Sequence, residues 1–408
     1  MRGAPAASLT GARVVAKRTI EDVALAGRRV FLRVDFNVPL GKDGTVTEDA
    51  RIRAVLPTLE LARRAGARVI AASHLGRPKG GPDPRYSLRP VARRLGDLLG
   101  AEVRLAADCV GPAVAGAVEA LRPGEVLLLE NLRFHPEEEA NDAGFAEALA
   151  ALGDVYVNDA FAAAHRAHAS TEGITRHLRP AVAGLLMKRE LEALGRVFEA
   201  PARPLVAILG GAKVSDKLKL VESLLARVDR LLIGGGMAFT FLKASGGEVG
   251  RSLLEADLVP TAARLLEPAP TRRVEFLLPV DTVAAASPEA AAGQVVPSRA
   301  IPAALMGLDI GPATVAAFAA ALGDARTIVW NGPLGVFERA PFAAGTLAVA
   351  RAVADAPALS VVGGGDTVAA VEQAGVATRI GYLSTGGGAF LEYLEGRTLP
   401  GVAALDDR

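Results

Sequence analysis

Short apolar runs alternate along this chain with longer stretches whose apolar residues recur at helical spacing. Runs 30–34, 68–72, 126–129 and 155–157 read as strands, and 50–64, 87–99 and 138–152 as the helices between them. The rhythm resumes with strand-like runs at 205–209, 230–233, 275–278, 327–330 and 359–362. Strands that are nearly all apolar, separated by helices, predict parallel sheets covered on both faces and an α/β fold.

The pattern divides near residues 184–204. Residues 185–198 (LLMKRELEALGRVF) carry apolar positions at helical spacing, and Pro201 and Pro204 break any helix beyond them. This helix reads either as a connector between two α/β halves or as one more packing helix. The length of 408 residues agrees with two or three domains, at roughly 150 residues each.

Composition narrows the picture. Charged residues are 22% and the formal net charge is +1, so any basic site must be local. The single cysteine, Cys109, excludes an internal disulfide framework and suits a reducing, cytoplasmic compartment. No apolar run reaches the roughly 18 residues of a membrane helix. Residues 1–18 hold Arg2, Arg13, Lys17 and Arg18 and no acid, which reads as a disordered extension or an upstream start rather than a transit peptide.

Ligands of open α/β sheets bind beyond the carboxyl ends of the strands. In the first half those ends carry Asp35, Phe36 and Asn37, then His74, Leu75, Gly76 and Arg77, then Arg133, then His165 and Arg166. Arg51 opens the helix after the first strand. On parallel strands Arg77, Arg133 and Arg166 converge on one rim with His74, and guanidinium forks suit carboxylate and phosphate oxygens. Asp35 and Asn37 are placed to orient a hydroxyl or the arginines. His165 and His168 stand three apart, but no Cys or carboxylate pattern completes a metal ligand set around them.

In the second half the strand ends carry glycines. Residues 205–209 run into Gly210-Gly211-Ala212-Lys213-Val214-Ser215-Asp216-Lys217, read as a strand, a turn and a helix start with Lys213 and Lys217 on one helical face. Gly234, Gly235 and Gly236 follow another strand, and Gly363, Gly364, Gly365, Asp366 and Thr367 a third. Asp366 is suited to holding Mg²⁺ beside phosphates, and either Asp366 or Thr367 to capping the next helix. Asn331-Gly332-Pro333-Leu334-Gly335 leads to Glu338, which suits ribose hydroxyls or solvent. No Walker A string and no G-x-G-x-x-G occurs, which argues against a P-loop enzyme and a dinucleotide-dependent oxidoreductase.

The motifs 33–39 (RVDFNVP), 73–78, 129–134, 210–217, 330–338 and 363–367, in this order, resemble those of phosphoglycerate kinases, and the resemblance runs from about Lys17 to Leu405. It implies two doubly wound domains with largely parallel sheets facing across a cleft and joined by a hinge helix. The expected boundaries are 19–184 for a phosphoglycerate-binding domain, 185–200 for the helix and 201–392 for a nucleotide-binding domain, with 393–408 packing back on the first. It implies 3-phosphoglycerate or 1,3-bisphosphoglycerate on Asp35, Phe36, Asn37, Arg51, His74, Leu75, Gly76, Arg77, Arg133 and Arg166. It implies Mg²⁺ with ATP or ADP on Lys213, Lys217, Gly235, Leu308, Asn331, Glu338, Gly364, Gly365, Asp366 and Thr367, with the metal at Asp366. Arg51, Lys213 and Gly365 become the catalytic set, and a monomer is the expectation. Ala162-Ala163 stand where the family usually has Gly-Thr, just before the loop of Arg166.

Overall fold

A computed structural model describes residues 16–267 and 274–408. The expectation for residues 1–18 falls almost wholly on residues 1–15, outside the described residues. The chain forms two compact units. One runs to Glu192 and adds Thr398–Arg408; the other is Ala193–Arg397.

The first unit contains β1 (Arg29–Arg33), α1 (Ala50–Arg64), β2 (Arg68–Ala72), α2 (Arg89–Leu99), β3 (Val103–Leu105), α3 (Pro112–Glu119), β4 (Val126–Leu128), α4 (Pro136–Glu139), α5 (Ala143–Ala150), β5 (Val155–Asn158) and β6 (Ala181–Ala183). Its six strands lie in the order β3-β4-β2-β1-β5-β6, every pairing parallel. Val30, Leu32, Val69, Ala71, Val155 and Val157 are fully buried against Ile52, Val55 and Leu59 of α1. Each such aliphatic side chain contributes about 1.5–3 kcal/mol. From β1 the sheet is built outward through β2, β4 and β3 on one side and through β5 and β6 on the other, so the winding reverses between β1 and β5, and the loops after these two strands flank the switch point where open sheets hold ligands.

The helix α6 (Leu185–Phe198) contains the division between units. The second unit continues with β7 (Leu205–Leu209), α7 (Leu218–Leu225), β8 (Arg230–Ile233), α8 (Ala238–Ala244), β9 (Glu248–Val249), α9 (Val259–Leu266), β10 (Glu275–Leu277), β11 (Asp281–Ala285), β12 (Gln294–Pro297), β13 (Ala300–Ile301), β14 (Met306–Ile310), α10 (Pro312–Leu322), β15 (Thr327–Asn331), α11 (Ala344–Asp355), β16 (Leu359–Gly363), α12 (Gly365–Gln373), β17 (Tyr382–Ser384) and α13 (Gly388–Leu394). Its main sheet, β10-β8-β7-β15-β16-β17, is also parallel throughout. Its switch point lies between β7 and β15.

The last helix, α14 (Pro400–Ala403), belongs to the first unit. Gly401 N donates to Ala164 O, Asp406 N to Ala181 O, and Arg18 N to Asp406 O, so the chain's final segment lies along β6.

The helix expected over 138–152 is two helices. Asn141, with φ 54°, breaks the backbone, and the Asp142 side chain then caps α5 by accepting from Phe145 N at 2.8 Å. The small antiparallel sheet β12-β11-β14 was not legible in the apolar pattern: β12 is largely exposed, and a bulge at Val283/Ala284 interrupts the register of β11 with β14.

Candidate active site

At the end of β1 the chain must hold two charged side chains next to an apolar core. Asp35 is 8% exposed, and its Oδ2 accepts from Arg51 Nη1 at 2.9 Å. Its Oδ1 accepts from Asn37 N at 3.0 Å. Burial pushes the Asp35 carboxyl up, but His74, then Arg51, the Asn37 amide and Arg33 more than offset it, so the acid is held below the usual carboxylate range. Arg51, in the first turn of α1, is thereby aimed before any ligand arrives. Asn37 Oδ1 accepts from Gly76 N at 2.8 Å, and Arg133 Nη1 donates to Gly76 O at 2.8 Å, which ties the loops after β1, β2 and β4 together.

The guanidinium of Arg133 is 8% exposed. Its Nε lies 3.1 Å from Glu139 Oε1 without hydrogen-bonding geometry, a charge contact only. Burial lowers its pKa, and Arg166 and Arg33 add to the repulsion. A rim with this surplus of cations stabilises a polyanion. Arg166 is held by its Nε donating to His165 Nε2 at 3.1 Å, three residues beyond the single 3₁₀ turn of Phe161–Ala163. Arg77 is exposed on the His74 loop.

Phe36 and Leu75 sit otherwise than a list of substrate-touching side chains implies. Both side chains are in the apolar core. The backbone of Phe36 donates to Ser73 Oγ at 2.8 Å, and that of Leu75 bonds Asn131 through both its N–H and its C=O. Their backbone groups set the loops, and their side chains are turned into the core.

Arg33 escaped the sequence reading. It ends the apolar strand β1 and is 1% exposed, the only charged position of β1 that points into the interior. A buried guanidinium costs several kcal/mol unless it is paired, so its partners identify its purpose. Its Nε donates to Ser170 Oγ at 2.8 Å, and its Nη2 lies 3.1 Å from His74 Nδ1. The signal was a charge inside an otherwise apolar run.

In the second unit four loops meet at the carboxyl edge of the main sheet, backbone against backbone. Gly210 N donates to Asn331 O at 3.0 Å, Gly211 N to Pro333 O at 2.9 Å, and Met237 N to Gly211 O at 3.0 Å. Gly332 N donates to Thr367 Oγ1 at 2.7 Å, and Asn331 Nδ2 to Gly363 O at 2.7 Å. Gly235 requires its lack of a side chain: φ is +64°, and a Cβ would stand 2.7 Å from Gly211 N and 2.8 Å from Gly211 O. Leu308, 6% exposed, lies beside this edge through the bond from Val336 N to its carbonyl, at 2.8 Å, and Glu338 is exposed two residues further on.

Lys213 and Lys217 do not share a helical face. The helix α7 begins at Leu218, after the loop. The reason is Glu255, whose Oε2 accepts from Val214 N at 2.6 Å and from Ser215 N at 3.0 Å and so holds these amides in a turn. Lys213 is exposed on that turn. Lys217 is folded inward, donating to Gly210 O at 2.6 Å, Asn331 Oδ1 at 2.6 Å and Asn331 O at 3.2 Å. Burial brings its pKa down to about 8, against the pull of Asp216 and Asp366.

Neither Asp366 nor Thr367 caps α12. Gly364, at φ +97°, is the N-cap and makes no side-chain bond. The first amides of α12 have no acceptor within the helix, and Gly365 and Asp366 are exposed there. Such an end binds phosphate oxygens through N–H groups and the helix dipole. An exposed carboxylate next to it fits Mg²⁺, which takes one or two carboxylates and fills its remaining positions with phosphate oxygens and water.

Among the described residues one group has ligand atoms spaced for a metal, namely Asp108, Cys109 and His135, within 4.8 Å of one another. Asp108 Oδ1 is already paired with His135 Nε2 at 2.7 Å, and burial holds the Cys109 thiol protonated.

The chain as a whole has known relatives. The family model described as phosphoglycerate kinase matches residues 20–397. The phosphoglycerate kinase of Moorella thermoacetica is 59% identical over 395 residues, covering 97% of this chain and all of that protein. That of Anaeromyxobacter dehalogenans is 56% identical over 396 residues, covering 96% and 100%. The solved phosphoglycerate kinase of Coxiella burnetii superposes with a TM-score of 0.88 at 43% identity, over 95% of this chain and 98% of its own. That of Pyrococcus horikoshii gives 0.83 at 37%, with the same coverage. Sequence, family model and fold agree, and the chain belongs to the phosphoglycerate kinase family.

Proposed function

We propose that this chain catalyses reversible phosphoryl transfer between 1,3-bisphosphoglycerate and MgADP, giving 3-phosphoglycerate and MgATP, in glycolysis and gluconeogenesis. The observation that carries the reading is the pairing of an arginine-rich rim, pre-aimed by buried Asp35, with a glycine-capped helix start on a second sheet. Arg51, Arg77, Arg133, Arg166 and His74 bind the phosphoglycerate, with Asn37 and Asp35 orienting it. Gly235, Leu308 and Glu338 line the nucleoside, and Lys213 and the amides of Gly364–Thr367 bind its phosphates. Lys217 and Asn331 hold the loops in register.

The acceptor is a carboxylate, already deprotonated at neutral pH, so no general base is required. Phosphoryl transfer through a loose transition state depends on alignment and on charge stabilisation at the equatorial oxygens. Arg51 and Lys213 supply that charge, assisted by the Gly365 amide. Asp366 would hold Mg²⁺, which neutralises charge on the nucleotide phosphates when bound. Transfer requires the ligands of the two units to come into line, which makes α6 the hinge. We take the enzyme to be a cytoplasmic monomer; the free, buried thiol of Cys109 agrees with a reducing compartment.

A coupled assay with ATP, Mg²⁺ and 3-phosphoglycerate tests the activity directly, and absence of turnover with these substrates would overturn it. The metal role has its own test. Asp366→Asn is expected to raise the Mg²⁺ concentration for half-maximal rate by about tenfold or more, with little change in the 3-phosphoglycerate KM. An unchanged Mg²⁺ dependence removes Asp366 from the metal site.

A further inference from the structure

The buried polar groups behind the phosphoglycerate rim form a directed chain of hydrogen bonds. Glu138 and Ser170 are fully buried, Arg33 is 1% exposed and His74 7%. Ser170 Oγ donates to Glu138 Oε1 at 2.5 Å, and Ser170 N donates to Oε2 at 2.9 Å. Burial pushes the Glu138 carboxyl up, against Arg33, the two Ser170 bonds and Arg133; with the carboxylate as acceptor, the one proton of the hydroxyl is committed to it. Its lone pairs therefore face Arg33, whose Nε donates to Ser170 Oγ at 2.8 Å. The guanidinium is planar, so fixing Nε fixes the plane of Nη1 and Nη2 as well. Nη1 donates to Val34 O, and Nη2 is directed at His74 Nδ1, 3.1 Å away.

Arginine has no acceptor atom, so the bond to His74 has only one sense: Arg33 donates and Nδ1 accepts. A ring nitrogen that accepts carries no proton. The surrounding cations keep the ring neutral, because burial, then Arg33, Arg133 and Arg51, hold its pKa well below the usual value against the pull of Asp35. The single proton of the ring is then on Nε2.

We propose that Glu138 and Ser170 are positioning residues for the reaction: acting through Arg33, they lock His74 as the neutral Nε2–H tautomer, so that it presents a donor to an oxygen of the phosphoglycerate. The ring on its own would divide between two tautomers. The chain behind it selects the one that donates, in the way an outer carboxylate fixes a ligating histidine. This rests on the phosphoglycerate reading of the rim.

The test uses the full-length, ¹⁵N-labelled protein. Two-bond ¹H–¹⁵N spectra distinguish the histidine tautomers, and His74→Gln assigns the resonance. The parent protein is expected to show a neutral Nε2–H ring for His74. Ser170→Ala and Glu138→Gln are expected to mix in the Nδ1–H form and to raise the 3-phosphoglycerate KM about three- to tenfold, leaving kcat and the MgATP KM near the parent values. Ser170→Thr, which keeps the hydroxyl, is expected to restore both. The Glu138→Gln, Ser170→Ala double variant should lose no more than the worse single one. An Nδ1–H ring in the parent overturns the proposal. So does a Ser170→Ala protein, folded by circular dichroism, whose tautomer and 3-phosphoglycerate KM are unchanged or whose two KM values and kcat deteriorate together. If the parent does not turn over 3-phosphoglycerate at all, the functional reading fails while the tautomer result still decides the relay.

Discussion

Arg51→Ala is expected to lower kcat by about two to three orders of magnitude, the loss seen when one preorganised donor to a transition-state oxygen is removed. The expectation is stronger than for a generic surface arginine. Arg51 is aimed by a charge-assisted bond from Nη1 to a nearly buried carboxylate, so the cost of orienting it is met before substrate binds. Lys213→Ala should behave alike, because Lys213 is the exposed cation on a turn that Glu255 pins through two amides. In both variants the KM for MgATP should move far less than kcat, since the lost contact strengthens only as the phosphoryl group separates. Steady-state kinetics in both directions measures this. A kcat within threefold of the parent would take that residue out of the transition state. Arg51→Lys should recover little, because an ammonium cannot both hold Asp35 Oδ2 and present a second donor in the same plane.

Gly235→Ala is expected to weaken MgADP binding by more than tenfold and to lower the melting temperature. A left-handed backbone costs a side-chain-bearing residue about 1–2 kcal/mol. The new methyl must also displace backbone atoms rather than a flexible side chain: Gly211 N at 2.7 Å, Gly211 O at 2.8 Å and Pro333 O at 2.9 Å. Those atoms belong to two other loops at the edge of the sheet, so the strain passes directly into the turn after β7. Calorimetric titration with MgADP and a thermal melt check it, and parent-like values in both would mean the four loops are not mutually braced.

The main strands were legible because a parallel sheet with helices on both faces leaves few polar positions, and the runs at 68–72, 205–209 and 230–233 coincide with β2, β7 and β8. The glycine loops were legible because close backbone approach excludes other residues. Less visible were features decided by partners distant in the chain. Glu255 turns the amides of Val214 and Ser215 from 40 residues away and so delays α7 past Lys217. The contact of Arg33 with Ser170 spans 137 residues, and the periodicity of β1 says nothing about it. The antiparallel strand β12 alternates weakly, with Val295 exposed, and so gave no period to read. Lys217 was expected to face phosphate, yet its donors are spent on carbonyl oxygens and the Asn331 amide, a competition that only the folded loops reveal.

The segment Thr398–Arg408 lies along β6 of a unit whose other residues all precede Ala193. That arrangement has a consequence for the order of synthesis. At about 5–20 residues per second, a ribosome spends roughly 10 to 40 s making the second unit after the first has emerged. Throughout that interval the outer side of β6 lacks the partner that Asp406 provides, and Lys17 lacks Asp407. The unit translated first is therefore the one completed last, and a release of the chain a dozen residues early would leave the residues of the second unit intact while exposing a sheet edge on the first.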